Sequence, residues 1–186
     1  INLPPIADRY RMTIRNSTLL EPERLVFSVL GRIKVQLFPG LIWQGEDISS
    51  PTAQGSAFYG YEDPPTDPAV ASIQIVDVSG DPTEPDIISL DEAGVGAVDG
   101  MLRRAVEAEM DVVNWMSSQL NVSEHSRGLV TPYIIRDSGR DVQYVALRTV
   151  LGQTKYVIIG TFDVSKSDPL AKFVFRAIQT VSFTEC

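Results

Sequence analysis

The residues that could do chemistry in this sequence are mostly carboxylates. The chain has 24 aspartate and glutamate residues but only one histidine, His125, and one cysteine, Cys186. One histidine and one cysteine cannot make a zinc site of the ordinary type. Glu124 and Ser126 flank His125, but a Ser–His–acid triad is assembled in space and seldom from sequence neighbours. Two carboxylates from separate segments suffice for a glycosidase, so a carboxylate-based hydrolase is kept as the least favoured function.

One glycine-rich stretch resembles a nucleotide-binding loop but has the wrong spacing. Residues 94–100 read Gly-Val-Gly-Ala-Val-Asp-Gly, and the third glycine of the dinucleotide-binding fingerprint would fall at Asp99. A carboxylate there would repel a pyrophosphate. The neighbouring strands also form hairpins rather than the parallel sheet that the fingerprint needs. We therefore predict no cofactor, no metal site, no catalytic residue and no enzymatic activity.

Composition and charge limit the partners. The 186-residue chain has a net charge of -8 and 44% hydrophobic residues, with a pI ≈ 4.6. Nucleic acid is excluded as a partner because phosphate binding needs a basic surface. A basic protein is the better complement, and a small ligand stays an option. No apolar run approaches the roughly 18 to 20 residues that span a bilayer. The oligomeric state stays open.

The chain length and its first residues suggest one exported domain. We expect a single domain over residues 1–186, with residues 1–9 as an N-terminal extension. Ile1 is followed by Asn-Leu-Pro-Pro, which suits a mature terminus left by a cleaved leader. We therefore expect a periplasmic or otherwise exported protein. A cytoplasmic location stays open, since a single cysteine allows no intrachain disulfide.

Strand patterns cover much of the chain. The last third carries three runs rich in Val, Ile, Tyr and Thr, separated by turn residues, which predicts an antiparallel meander over 130–136, 142–149 and 155–162. Further alternating or apolar runs predict strands over 10–15, 24–30, 32–38 and 70–78.

Two helices are predicted. Apolar residues at helical spacing indicate a long helix that starts at Gly94 or Ala97 and ends at Leu120. A second helix begins with Asp168 as N-cap and Pro169 at the first helical position, and its apolar face continues to the chain end. The fold class is therefore α+β: a mainly antiparallel sheet with a long helix and a C-terminal helix packed on it.

Residues 39–68 are the candidate partner-binding segment. They form an expected long loop excursion, rich in Pro, Gly and Ser, with an unusual aromatic content. One interpretation makes 57–61 a short strand whose aromatic side chains lie in the core. The other is an exposed aromatic rim with acidic neighbours, for which the candidate binding residues are Trp43, Tyr59, Tyr61, Glu62 and Asp63. Exposure is expected chiefly of Trp43 and Tyr59.

The order of elements resembles a known superfamily. Residues 156–162, Tyr-Val-Ile-Ile-Gly-Thr-Phe, would be the last strand, and residues 173–183, which end in Val-Ser-Phe, the closing helix. Residues 38–43, Phe-Pro-Gly-Leu-Ile-Trp, loosely match a signature near the start. With the preceding strands and crossing helix, this resembles the PsbP/DcrB-like α/β sandwich superfamily. The resemblance implies no shared catalytic residues and a binding, assembly or chaperone-like role, often in exported compartments.

Function follows from the lack of catalytic constellations and from this resemblance. Our leading hypothesis is a non-enzymatic protein-interaction module of the bacterial cell envelope, with an assembly, chaperone-like or effector-neutralising role. The alternative is a small-ligand or lipid-binding carrier with its pocket between the sheet and the helix over 97–120.

Overall fold

The computed structural model of the protein describes residues 11–12, 25–29, 33–37, 41–62, 68–122, 127–166 and 182–183. Within these ranges the chain is mainly antiparallel sheet with one α-helix, α1 (Val95–Glu107). The strands, in chain order, are β1 (Arg11–Met12), β2 (Leu25–Val29), β3 (Ile33–Leu37), β4 (Ile42–Ser49), β5 (Gln54–Tyr61), β6 (Ala71–Asp77), β7 (Asp111–Trp115), β8 (Gln119–Val122), β9 (Arg127–Asp137), β10 (Arg140–Leu151), β11 (Thr154–Asp163) and β12 (Ser182–Phe183).

The strands form two sheets. The larger has nine strands in the order β1-β4-β5-β6-β11-β10-β9-β7, and β8 also pairs with β9. Its described strand pairs are all antiparallel. The smaller sheet has the order β12-β3-β2. The strands predicted near 24–30, 32–38 and 70–78 are confirmed as β2, β3 and β6. Of the strand predicted over 10–15, the described residues form β1.

The predicted meander is confirmed. β9, β10 and β11 pair in succession, with Asp137 opposite Arg140 and Leu151 opposite Thr154. Ser138 and Gly139 both have positive φ, 52° and 80°. Positive φ at both central residues is what a tight type I′ hairpin turn requires. Local turn chemistry therefore sets the register of this part of the sheet.

The prediction that the long helix reaches Leu120 is wrong. α1 ends at Glu107, and the next residues form β7 and β8 on β9. The helical spacing of Val112, Met116 and Leu120 misled the prediction. Val112 and Val113 are β-branched and favour a strand, and β9 offers Val112 a backbone partner that no periodicity reveals.

The long excursion expected over 39–68 is also wrong where the structure describes it. β4 and β5 form a hairpin within the large sheet, and β5 pairs with β6 on its other side. The strand interpretation of 57–61 is therefore confirmed. Gly55 on β5 allows this pairing, because a Cβ there would lie 1.9 Å from the Ile75 carbonyl oxygen on β6.

The C-terminal helix lies mostly outside the described residues. β11 is followed by a short 3-10 turn, Val164–Lys166, and residues 167–181 are not described. The helix was predicted to continue through Phe183, and there it is wrong: Ser182 and Phe183 form β12, opposite Lys34 and Ile33 of β3. Backbone pairing with β3 replaces the last helical turn.

One face of the large sheet carries α1. Leu102 of α1 is buried in a cluster with Leu129 of β9 and with Ile87 and Leu90 of the preceding loop. Val106 packs on a neighbouring cluster in the middle of the sheet. Burying a side chain such as Leu102 stabilises a fold by about 1.5–3 kcal/mol. The helix is thus fixed against the β9 side of the sheet.

Candidate functional site

The aromatic residues predicted to bind a partner are buried. Trp43, Tyr59 and Tyr61 are 2%, 5% and 3% exposed. The exposure expected of Trp43 and Tyr59 is therefore wrong, because successive side chains of the β4–β5 hairpin point to opposite faces of the sheet and both faces are covered. Glu62 is exposed and pairs with Lys166. Asp63 lies outside the described residues.

Tyr59 instead belongs to a row of side chains that crosses the sheet. Strand register places one residue from each of seven neighbouring strands in line on the same face: Gln44, Tyr59, Ser72, Thr161, Tyr144, Tyr133 and Trp115. In the middle of the row, the Ser72 and Thr161 hydroxyl oxygens lie 2.5 Å apart in a buried hydrogen bond. We call these seven residues the cross-sheet row.

The tyrosines of the cross-sheet row remain protonated at neutral pH. Burial raises the pKa of Tyr59, and the negative charge of Glu46 raises it further. Burial likewise raises the pKa of Tyr133 and of Tyr144. A phenol whose pKa is raised above its ordinary value of 10 donates hydrogen bonds but is not a nucleophile or a general base. The row contributes ring stacking and a buried hydrogen bond to the sheet.

Stacked rings extend this row to the edge of the sheet. The ring centroids of Trp115 and Tyr133 are 5.1 Å apart with an interplanar angle of 18°, and those of Tyr133 and Tyr144 are 5.2 Å apart at 17°. Aromatic pairs of this kind contribute about 0.5–1.5 kcal/mol beyond the area that they bury. They hold β7 against β9 and β10.

α1 holds the same edge through Asp99. Its carboxylate accepts hydrogen bonds from Trp115 Nε1, at 3.0 and 3.1 Å to the two oxygens, and from the Ser118 backbone N at 2.6 Å. The Ser118 hydroxyl lies 2.8 Å from that of Thr131 on β9. Ser117, which lies between Trp115 and Ser118 in the chain, has a φ of 64°, which is uncommon for a non-glycine residue. We call Asp99, Trp115 and Ser118 the edge latch.

Three exposed apolar side chains lie along this edge. β7 is the last strand in the order of the large sheet, and β8 pairs with the same side of β9 further along that strand. Residues 111–122 therefore form one border of the sheet, which we call the β7–β8 edge. Within the edge, Val113 is 46% exposed, Met116 42% and Val122 57%. Elsewhere among the described residues, Ile88 at 57% and Met101 at 36% are the other large apolar side chains with such exposure. Three of these five thus lie in one short segment.

The charge of the β7–β8 edge is negative. Between Arg104 and Arg127 the sequence has four acidic residues, Glu107, Glu109, Asp111 and Glu124, and no lysine or arginine. Glu107 forms an ion pair with Arg103 of α1 at 2.6 Å. Asp111 at the start of β7 is exposed. Exposed apolar side chains within a stretch of sequence that has acidic residues and no lysine or arginine suit a basic partner with some apolar residues.

The interior carboxylates of the described residues have structural partners. Glu84 pairs with Arg148 on β10 at 3.0 Å, with both side chains mostly buried. Burial raises the pKa of Asp163, but hydrogen bonds from Ser165 and the nearby Arg140 and Lys166 outweigh burial and hold that pKa below its ordinary value. Among the described residues, no three His, Cys, Asp or Glu side chains come together as a metal site.

Two residues considered in the sequence analysis lie outside the described part of the chain. His125 and Cys186 are not among the described residues. The helices of the described part are too short and too polar to cross a bilayer. The non-enzymatic role stays a prediction.

The β7–β8 edge itself was missed by the sequence analysis. Its signals were present: the Val112-Val113 pair, and the stretch without lysine or arginine around it. Neither signal was used, because these residues were assigned to a helix. In a helix, an apolar residue at helical spacing is expected to face the core.

No known protein family and no curated protein matches this sequence. Solved structures do resemble it. Cyanobacterial PsbP from Synechocystis sp. PCC 6803 aligns with a TM-score of 0.55 at 11% identity, over 82% of this chain and 86% of that chain. A protein of unknown function from Pseudomonas aeruginosa aligns with a TM-score of 0.44 at 10% identity, over 88% and 99% of the two chains.

A protein from Bacteroides thetaiotaomicron VPI-5482 aligns with a TM-score of 0.47 at 12% identity over 88% of this chain, which spans 49% of that longer chain. The alignment with PsbP agrees with the resemblance inferred from the order of elements. The chain has a PsbP-like fold.

Proposed function

We propose that this chain is a non-enzymatic binding module that holds a basic protein partner on its β7–β8 edge. The observation that carries the proposal is the concentration of Val113, Met116 and Val122, all at least 42% exposed, in one segment at the border of the sheet. Scattered exposed apolar residues need no explanation, but three of them along one sheet edge are the ground on which we place the interaction surface there.

The edge latch supports this interpretation because it makes the surface rigid. A non-glycine residue with positive φ, such as Ser117, carries a cost of order 1–3 kcal/mol. Hydrogen bonds to a charged group contribute about 1.5–3 kcal/mol each, so the bonds of Asp99 to Trp115 and Ser118 offset that cost. A rigid surface loses little entropy when a partner binds.

Charge supports a basic partner. The chain carries a net charge of -8, and residues 105–126, which include the β7–β8 edge, hold four acidic residues and no lysine or arginine. Such a field accelerates the approach of a cationic protein and weakens as salt is added, since the Debye length falls to about 8 Å at physiological ionic strength. Binding should therefore be salt-sensitive.

The cell envelope is the compartment that we propose for this binding. It rests on the exported character expected from the superfamily resemblance. Fractionation of the native host, followed by detection of the chain with an antibody, tests the compartment separately from the binding surface.

Comparative capture of partners tests the function. The edge variant Val113→Ser/Met116→Ser/Val122→Ser removes the apolar cluster, and Ile88→Ser/Met101→Ser is its matched control, since it removes the exposed apolar residues outside the edge. We expect wild type and control to retain the same basic protein from envelope extract and the edge variant to lose it. Equal retention by all three proteins would refute the proposed surface.

Small-ligand carriage has one supporting observation of its own. Gln74 of β6 is 1% exposed, and its side-chain Nε2 has no hydrogen-bond acceptor among the described residues. A buried amide donor left in this state costs about 1–3 kcal/mol, which a bound polar molecule would relieve. Gentle native mass spectrometry of the purified chain tests this second candidate: a non-covalent adduct lost in Gln74→Leu supports it.

A further inference from the structure

The two strands of the β7–β8 edge differ in the backbone that they offer. β8 keeps an unbroken register with β9 over Gln119 to Val122. In an antiparallel pair, alternate residues of an edge strand direct their N–H and C=O groups away from the sheet. No strand of the described part pairs with that outer side of β8. The outward groups of β8 thus form a short template for one more strand.

β7 offers no such template. Its register on β9 shifts between Val112 and Asn114, and an irregularity of this kind breaks the ladder and re-aims a side chain. Val113 lies at the shift and is 46% exposed. The left-handed Ser117 then separates β7 from β8. β7 therefore presents side chains, whereas β8 presents backbone.

From this division of roles we infer that the partner contributes an extended segment that pairs as an added strand with the outer side of β8 and extends over Val113 and Met116. The inference rests on the proposed function and specifies its mode of binding. Main-chain hydrogen bonds would give affinity, and side chains on alternating positions would give specificity.

The segment that fits is one of alternating basic and apolar residues. Leu120 and Val122 lie on the same face of β8, two residues apart, and Val122 is 57% exposed. Apolar residues of an added strand would lie beside them on that face. Basic residues on the other face would suit a chain whose net charge is -8.

A second copy of this chain fits poorly as the occupant. Pairing two copies edge to edge would bring together two chains that each carry a net charge of -8, and charge of the same sign opposes association. The irregularity in β7 also limits regular pairing to the short β8. Both features are used by natural sheets against self-association.

A designed peptide tests the inference directly. The probe is a blocked hexapeptide of alternating lysine and valine, titrated into the isotopically labelled full chain while backbone amide exchange is followed by NMR. We expect saturable binding and at least about tenfold slower exchange at alternate amides of Gln119–Val122, because added-strand hydrogen bonds protect only outward N–H groups. Residues 112–114 should show no such alternating protection.

Two control peptides separate backbone pairing from charge. A hexapeptide of alternating glutamate and valine should not bind, and a fully N-methylated lysine–valine hexapeptide, which keeps the side chains but has no N–H donors, should not protect β8. Equal protection by the N-methylated peptide, or absence of binding by the parent peptide, would overturn strand addition.

The outcomes also distinguish this inference from the proposed function. If the natural partner binds wild type but not the edge variant, and β8 gains no alternating protection, the partner docks through side chains alone and only the strand inference is wrong. If β8 protection instead rises with protein concentration without peptide, a second copy is the occupant and the inference is again overturned.

Discussion

The carboxylate of Asp99 on α1 accepts a hydrogen bond from the indole Nε1 of Trp115 on β7, with both oxygens within 3.1 Å. This contact joins the helix to the outermost strand of the sheet, and the stacked Tyr133 continues it inward. The shape of the β7–β8 edge therefore depends on a residue that is not part of it.

Asp99→Ala should lower the free energy of unfolding by about 2–3 kcal/mol, because Trp115 and the Ser118 amide both lose a charged acceptor. Asp99→Asn keeps one acceptor oxygen and should cost roughly half as much. Urea titration measures the free energy of unfolding of both variants. In a Trp43→Phe background, the fluorescence emission of Trp115 reports whether the edge latch is intact. A cost below about 0.5 kcal/mol for Asp99→Ala would show that the latch is not stabilising.

Gly55→Ala should prevent folding or destabilise the chain by more than about 3 kcal/mol, since a Cβ would meet the Ile75 carbonyl oxygen at 1.9 Å and β5 would have to move away from β6. Gly96→Ala is the matched control: it lies in α1 with nothing within 4 Å of an added Cβ. It should stabilise by about 0.5–1 kcal/mol. Denaturant midpoints check both, and a stable Gly55→Ala protein would contradict the strand pairing.

Gln74→Leu should be neutral or stabilising by up to about 1 kcal/mol, because it replaces a buried amide whose Nε2 lacks an acceptor by an apolar side chain of similar size. Thermal unfolding of the purified chain measures this. A clear destabilisation would mean that the amide has a partner in solution, such as a bound molecule.

Asp163→Asn should lower stability in a pH-dependent way. The pKa of Asp163 lies below its ordinary value of 3.8 in the folded chain. Its ionised form therefore stabilises the fold above that value, and this contribution is lost as pH falls through the folded-state pKa. The gap in unfolding free energy between wild type and Asp163→Asn should be constant above about pH 5 and shrink below about pH 4.

Asp141→Asn serves as the comparison for this pH series. It removes an exposed ion pair with Arg136, and pairs of that kind contribute about 0–1 kcal/mol. A gap for Asp163→Asn that widens as pH falls would contradict the sign given above.

Some of the fold could be predicted from sequence because its signals are local. Ser138 and Gly139 can adopt the positive φ of a tight turn, so they indicate the β9–β10 hairpin without knowledge of the rest. The start of α1 at Val95 lies close to the predicted start at Gly94 or Ala97. Turn chemistry and the apolar spacing of a helix act over a few residues and are readable in the chain.

The binding surface could not be predicted, because it depends on contacts between distant segments. Trp43 is buried because strand pairing places it on a covered face of the large sheet. Val113 is exposed only because β9 pairs with β7 and β7 ends the strand order. In each case the pairing of strands decides whether a side chain is buried or exposed to solvent, and the periodicity of the sequence does not contain that information.

The affinity of the captured basic partner for three proteins tests the central claim most directly. Calorimetry at low and high salt would compare wild type, the edge variant Val113→Ser/Met116→Ser/Val122→Ser and the control Ile88→Ser/Met101→Ser. We predict that the edge variant loses at least about 2 kcal/mol of binding free energy, roughly thirtyfold in Kd, with an unchanged melting temperature. The control should bind like wild type, and salt should weaken binding. An edge variant that binds as tightly as wild type would contradict the account.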